Sequence, residues 1–300
     1  MNTGYITILS KYVAWLETLG FGKSLVNGCK MRIITFFEWL EEQQIQSISQ
    51  LSYNTLHNYY RYLETRPNKV FKGRLLGAMQ INKSMEAVDK LLQFLHQYGM
   101  ENAPVPVNLR IKLNKEERIN KLEVLTQQEI KTLYNCIPNT YQHFNFAERQ
   151  IKHYELKLTF ALYYGCGLRR SEGCKLQIQD IDFDKKTVFV RQGKNYKDRI
   201  VPMSAGVYKE VQDYVYNFRH TLKLKHSRLF ISDGETLNIR LKYLKNACDD
   251  EQIKAKRVNL HLLRHSIATH LLQNGMSIEN IALFLGHGSL ESTQIYTHLI

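Results

Sequence analysis

A chain of 300 residues with 44% hydrophobic and 23% charged side chains is long enough for two domains with their own cores, and its composition excludes a collagen-like or wholly disordered polymer. Its 41 Lys and Arg against 28 Asp and Glu leave a net charge of +13, spread over all three hundreds of the sequence, which favours an anionic partner, nucleic acid or an acidic membrane surface, touched by both halves. The most apolar stretch, 158–168, is too short to cross a bilayer, the start lacks a basic segment followed by an apolar run, and the five cysteines include no Cys-x-x-Cys pair, which together predict a reduced, unexported, cytoplasmic protein.

Along the chain, Tyr5, Ile8, Leu9, Tyr12, Val13 and Leu16 recur at helical spacing and stop at Gly20, the residue expected in a left-handed cap. A second amphipathic run over 24–42 carries Ile33, Phe36, Phe37 and Leu40, a third holds Leu56, Tyr59, Tyr60 and Leu63, and a fourth covers 81–98. Four helices without a convincing strand predict a small all-α domain over 1–102. Pro104, Pro106 and clustered charges then break the periodicity, so 103–122 reads as an interdomain linker. Thr126 and Glu129 stand at capping-box spacing before an apolar run, a helix start. Short strands are expected over 187–191 and 199–203, around the turn-forming Gly193-Lys194-Asn195, with helices again to the end. The second domain, 123–300, is therefore mixed α/β with a small sheet, and the whole chain is α+β and mostly α.

Several local patterns suggest chemistry and fall short of it. Gly22-Lys23-Ser24 has the end of a phosphate-binding loop, but Glu17 stands where the first glycine belongs and no strand precedes it. Asp180, Asp182 and Asp184 alternate like calcium ligands, yet Lys185 and Arg191 fill the glycine and glutamate positions of such a loop. His261 and His265 are spaced as zinc ligands on a helix, but Leu262 replaces the needed Glu and Arg264 brings a cation. Tyr53, Tyr59, Tyr60 and Tyr62 could stack on bases, and serve more simply as helix core.

A larger constellation lies in the second domain. Gly167-Leu168-Arg169-Arg170-Ser171-Glu172 enters a helix; in His261-Leu262-Leu263-Arg264-His265 the first His and the Arg share a helix face; in Leu285-Gly286-His287-Gly288 the Gly ends a helix and His287 stands in the turn; and Tyr296 follows on a short final helix. Two arginines can neutralise the non-bridging oxygens of a pentacoordinate phosphorane, and a tyrosine hydroxyl suits the nucleophile. With Gly193-Lys194, Arg199-Ile200-Val201-Pro202, Ser266, Ala268, Thr269, His270 and Ile295-Tyr296-Thr297-His298 added, the ordered set over 125–300 resembles the tyrosine recombinases, or phage integrases. Tyr12, Trp15, Leu16 and Phe36-Phe37 with Trp39-Leu40 resemble, more weakly, that family's helical core-binding domain, a SAM-like four-helix unit.

The resemblance implies that Arg169 and Arg264 grip the scissile phosphate, Lys194 protonates the leaving 5′ oxygen, His261 assists proton movement, His287 hydrogen-bonds a phosphate oxygen and Tyr296 attacks to give a 3′-phosphotyrosyl link. Glu172 and His265 would support them; Arg170 falls on the variable position. No cofactor and no metal are implied, since one phosphodiester is traded for another. The implied partner is duplex DNA with inverted half-sites, bound by a dimer per site and a tetramer in synapsis, with no membrane and a nucleoid-associated, prokaryotic-type location. Chains of that family usually continue past the tyrosine with a segment that docks on a neighbouring protomer, whereas only four residues follow Tyr296, so either the chain is truncated or the partner contact is made otherwise; the helices start at once, leaving no room for an arm-binding domain. The expected function is site-specific cleavage and rejoining in integration, excision or transposition of a mobile element. Alternatives are Xer-type chromosome-dimer resolution, type IB topoisomerase-like relaxation and a non-catalytic DNA-binding factor.

Overall fold

The computed structural model describes residues 1–68, 73–113, 123–191 and 198–297, and the chain divides into two compact units, Met1–Lys115 and Glu116–Ile300. The first is helical. Helix α1 (Thr3–Thr18) starts where the Asn2 side chain accepts from the Tyr5 N–H and stops before Gly20, whose φ of +76° is the left-handed cap foreseen from the sequence. Helix α2 (Lys23–Glu42) begins directly after Gly22, so the Gly-Lys-Ser string is a helix start. Helices α3 (Tyr53–Thr65) and α4 (Ala78–Gln97) complete the bundle. Their apolar stripes meet in one core around Tyr12, Ile33, Phe36, Leu56, Val88 and Leu92. Tyr59 is in that core, and Tyr62 packs beside Trp39, 5.8 Å between ring centroids, whereas Tyr53 is exposed.

The segment read as linker is partly bound to this first unit. Asn82 exchanges two hydrogen bonds with the backbone of Ile111, at 2.7 and 2.8 Å, and buried Asp89 accepts from the Val107 N–H and from Arg110, the latter at 2.7 Å. Val107, Leu109 and Ile111 rest on the helical core. The clustered charges were part of the reason to read an interdomain linker, yet they include one half of an ion pair whose partner is buried in α4.

The second unit is built mainly of helices around a three-stranded antiparallel sheet in the order β1-β2-β3. Its first helix, α5 (Gln127–Cys136), has the capping box expected of Thr126 and Glu129. Helix α6 (Phe146–Thr159) runs into a buried π-helical segment, Phe160–Gly165, and short α7 (Arg170–Lys175) follows. Strands β2 (Thr187–Val190) and β3 (Arg199–Pro202) are the two predicted, with Val188 opposite Val201 in the core, and β1 (Ile181–Asp182) adds a third, too short to show a period in the sequence. Helices α8 (Ala205–Asp213), α9 (Gly234–Ala247), α10 (Glu251–Ala255), α11 (Leu260–Gln273), α12 (Ile278–Leu285) and α13 (Glu291–Gln294) close the unit. Asp180 accepts from the Gln177 N–H and from Arg191, and Asp182 from the Lys185 N–H, so two of the three alternating aspartates cap turns. No helix among the described residues is long and apolar enough to cross a membrane.

Candidate active site

The site is assembled where the chain leaves the π-helical segment and passes beneath the end of α12. Gly167 has φ +60°, and a Cβ there would meet Leu285 Cδ2 at 2.7 Å and the Phe284 ring at 3.0 Å, so glycine alone lets the two segments touch. Arg169 then caps α7. Its backbone N–H donates to Glu172 Oε2 at 2.8 Å and its Nη1 to Oε1 at 2.6 Å, which fixes the guanidinium over the helix start. Neighbouring Arg170 is 56% exposed and pairs with Glu235 at 3.3 Å, away from this cluster.

Three successive carbonyls at the C-terminal end of α12 each accept from a different arginine. Arg199 Nε donates to Phe284 O at 3.1 Å, Arg264 Nη2 to Leu285 O at 2.8 Å and Arg169 Nη2 to Gly286 O at 2.5 Å. The last carbonyls of a helix lack intrahelical donors and carry the negative end of its dipole, which makes this a natural seat for cations. Gly286 permits the arrangement twice over: its φ of +65° ends the helix, and a Cβ there would lie 2.9 Å from Arg199 Cδ and Nη1. Arg264 is 2% exposed, and its Nη1 also donates to Gly167 O. Burial, and then the charge of Arg169, bring its pKa down to about 9, so it remains a cation at neutral pH.

Glu172 is the counter-charge at the centre. Burial alone would raise its pKa, but the paired hydrogen bonds and charge of Arg199, with those of Arg169, hold it at about 2. Arg199 spans both carboxylate oxygens at 2.9 Å each, and Arg264 stands 3.9 Å away.

The histidines and the tyrosine lie beside the arginines. Asn259 caps α11 through the His261 and Leu262 N–H groups, both at 2.9 Å, placing His261 in the first turn. The rings of His261 and His265 meet edge to face, 4.3 Å between centroids. His265 Nδ1 is 2.8 Å from the Tyr296 hydroxyl. Burial first, then His261, Arg264 and His287, push the His265 pKa down to about 3, so the ring is neutral across the physiological range; His261 shifts the same way, by burial and then by Arg264 and Arg169. His287 follows the Gly286 cap as expected, with Nδ1 2.7 Å from Thr293 Oγ1, and its ring stacks on Tyr296 at 6.4 Å. Tyr296 is 1% exposed and packs with Ala268, Ile281 and Leu285, just beyond α13. Its burial raises the phenol pKa and Arg264 and Arg169 lower it, the net being about 12.

Six of the eight residues nominated from the sequence, Arg169, Glu172, Arg264, His265, His287 and Tyr296, are thus joined by direct contacts or one shared partner, and His261 adjoins them through His265. Lys194 lies outside the described residues. Arg199 was legible only as part of a strand motif; a charged residue opening a strand otherwise buried at Val201 was the available signal. Among the described residues no group of three His, Cys, Asp or Glu side chains could hold a metal ion.

Residues 123–300 match the model of the phage integrase family. The chain is similar to the tyrosine recombinase XerA of Thermococcus onnurineus, 36% identical over 178 residues, which span 58% of this chain and 57% of that one. It is 30% identical over 276 residues to the tyrosine recombinase XerC of Halalkalibacterium halodurans, covering 88% of this chain and 83% of the relative. The fold is shared with the XerH site-specific recombinase bound to its difH substrate in a pre-cleavage complex, with TM-score 0.69 and 18% identity over 91% of this chain and 76% of that one. A lambda integrase dimer bound to a COC′ core site has TM-score 0.64 at 14% identity, over 97% and 76%.

Proposed function

Because the chain belongs to the phage integrase family and is thereby a tyrosine recombinase, we propose that it breaks and rejoins duplex DNA at specific sites through a phosphotyrosyl intermediate. The observation that carries this reading is the convergence of Arg169 and Arg264 on the end of α12, beside a buried tyrosine held by a neutral histidine. Only two hydrogen bonds engage each of these guanidiniums among the described residues, so both keep donors for the non-bridging oxygens of a phosphodiester.

Tyr296 Oη attacks phosphorus, the bond to the 5′ oxygen breaks, and the departing oxygen takes a proton, a task assigned to Lys194. The phenol proton leaves toward the His265–His261 pair as the bond forms. Arg169, Arg264 and the His287 ring take up the charge developing on the phosphorane oxygens, where fixed donors act most strongly. Attack by a 5′ hydroxyl from another strand reverses the step, returning the proton and freeing Tyr296, with no net change in the number of phosphodiester bonds.

The spread positive charge supports a DNA partner bound largely through phosphates; inverted half-sites each taking one protomer, and synapsis of two such dimers, belong to the same proposal and rest on the likeness to the tyrosine recombinases. The transposon-type and dimer-resolving roles use this same chemistry; a Tn1549 transposon integrase shares the fold at TM-score 0.64 and 18% identity.

The test begins with a randomised pool of nicked duplexes, from which fragments joined covalently to the full chain are recovered and sequenced. A stable adduct from the native protein, absent from Tyr296→Phe, supports the reading; an equal adduct from Tyr296→Phe refutes it. Exchange between two marked copies of the recovered site separates a recombinase from a topoisomerase, which relaxes supercoils without joining different duplexes.

A further inference from the structure

We infer that Arg199 is a positioning residue for strand cleavage, which acts through Glu172 to hold Arg169 and Arg264 in the geometry that receives the phosphate. The inference rests on the recombinase reading and adds a member to its site. Arg199 opens β3, far in sequence from α7 and α12, and its side chain ties the sheet to both. Its guanidinium is 10% exposed and lies in a fork across Glu172, Nη1 to Oε1 and Nη2 to Oε2, both at 2.9 Å, while Nε reaches Phe284 O at 3.1 Å.

That geometry decides between a direct and an indirect role. A guanidinium has five N–H donors. Three of those on Arg199 are spent, and the fork that would face a phosphate bidentately already faces a carboxylate. Arg169, by contrast, gives Glu172 a single Nη1 hydrogen bond. Glu172 thus serves as the shared post: without Arg199, only the Arg169 N–H at 2.8 Å and the single Nη1 hydrogen bond would hold the carboxylate, which could then turn toward Arg169 or Arg264 and draw a catalytic guanidinium into a bidentate pair. The charged and titratable groups facing Glu172 are Arg169 at the start of its own helix, Arg199 from β3, Arg264 from α11 and the Tyr163 phenol from the π-helical segment.

Two variants and their combination test this. Arg199→Gln removes the charge while keeping a hydrogen-bonding side chain, Glu172→Gln removes the carboxylate, and the double variant removes both. Single-turnover adduct formation on the recovered nicked duplex is measured against pH, alongside DNA binding and thermal unfolding. Arg199→Gln should bind DNA within a fewfold of native and cleave about 100-fold more slowly, the scale of a misplacement near 1 Å. Its rate should fall further as pH drops through the raised Glu172 pKa, an acid limb that the native protein lacks. Glu172→Gln should be slow without that limb, and the double variant no slower than the slower single.

Carbon-13 NMR titration of the Glu172 carboxyl reads the same contact without any reaction: its midpoint should rise in Arg199→Gln and return toward native in Arg199→Lys. Native cleavage rates in folded Arg199→Gln, a loss of rate matched by an equal loss of DNA binding, or strictly additive effects in the double variant would overturn the assignment. An unchanged carboxyl midpoint would do so as well. Failure of the recombinase reading shows elsewhere, as an adduct that survives Tyr296→Phe.

Discussion

His265 Nδ1 and the Tyr296 hydroxyl lie 2.8 Å apart, and the ring on one side of this hydrogen bond has a strongly lowered pKa while the phenol on the other has a raised one. Both shifts have burial as the main cause, and both keep the pair neutral. In the tautomer with the proton on Nε2, the neutral imidazole accepts from the phenol, and the bond then orients the Oη lone pairs while the proposed nucleophile stays protonated.

The same pair gives the second unit an acid-sensitive step. A buried histidine whose pKa falls from 6.5 in the unfolded chain to about 3 in the fold binds its proton more readily when unfolded. Its contribution to stability is complete above about pH 6.5 and is lost progressively as pH falls toward 3. Urea midpoints measured between pH 7 and pH 4 should drop more steeply for the native protein than for His265→Gln, which cannot titrate there; parallel curves would contradict the shift.

Replacing Tyr296 by Phe should abolish the covalent adduct and leave DNA affinity within twofold. Stability should change by about 1 kcal/mol, the value of one hydrogen bond in a site whose aromatic packing survives. Gel-shift titration and chemical denaturation check the two parts separately.

Arg169→Lys and Arg264→Lys should each slow adduct formation by roughly 10²–10³-fold, as expected when a preorganised donor to the developing charge is lost. A lysine keeps the charge and loses the fork. DNA affinity should fall only a fewfold, because most of the +13 charge lies elsewhere. A mutant losing binding and cleavage in equal proportion would place its arginine among the general phosphate contacts.

Gly286→Ala tests the helix end. The left-handed backbone costs a non-glycine residue about 1–2 kcal/mol, and the new methyl must also displace Arg199, 2.9 Å from the ideal Cβ. Folding stability should fall by at least that amount and adduct formation should fall with it, although no group proposed to touch the DNA has been removed. Gly275→Ala, also at positive φ but with open space around its Cβ, supplies the control: a stability loss with native cleavage.

Much of the candidate site was nominated from the chain because several short motifs follow one another in a single order, no one of which would have sufficed. Arg169 caps α7, His287 stands in the turn after Gly286 and Tyr296 follows α13, while Arg264 lies within α11 on the face it shares with His261. Arg199 was not legible as a site member, because its meaning comes from Glu172 and Phe284, 27 and 85 residues away in sequence. The docking of 107–111 on the first unit was hidden for a related reason. Arg110 looked like one charge among many until its partner proved to be buried Asp89.

The carbonyls that end α12 also settle a question of charge. Had a separate carboxylate secured each of the three arginines, the cluster would be neutral and indifferent to DNA. Peptide oxygens secure them without cancelling them, and with Glu172 as the one full anion the cluster retains two positive charges. A phosphodiester brings one negative charge, and the phosphorane formed from it by a phenolate carries two. In the proposed reaction the end of a helix would thus match the site's electrostatic valence to the species to be stabilised rather than to the bound substrate, which is the difference between holding DNA and cutting it.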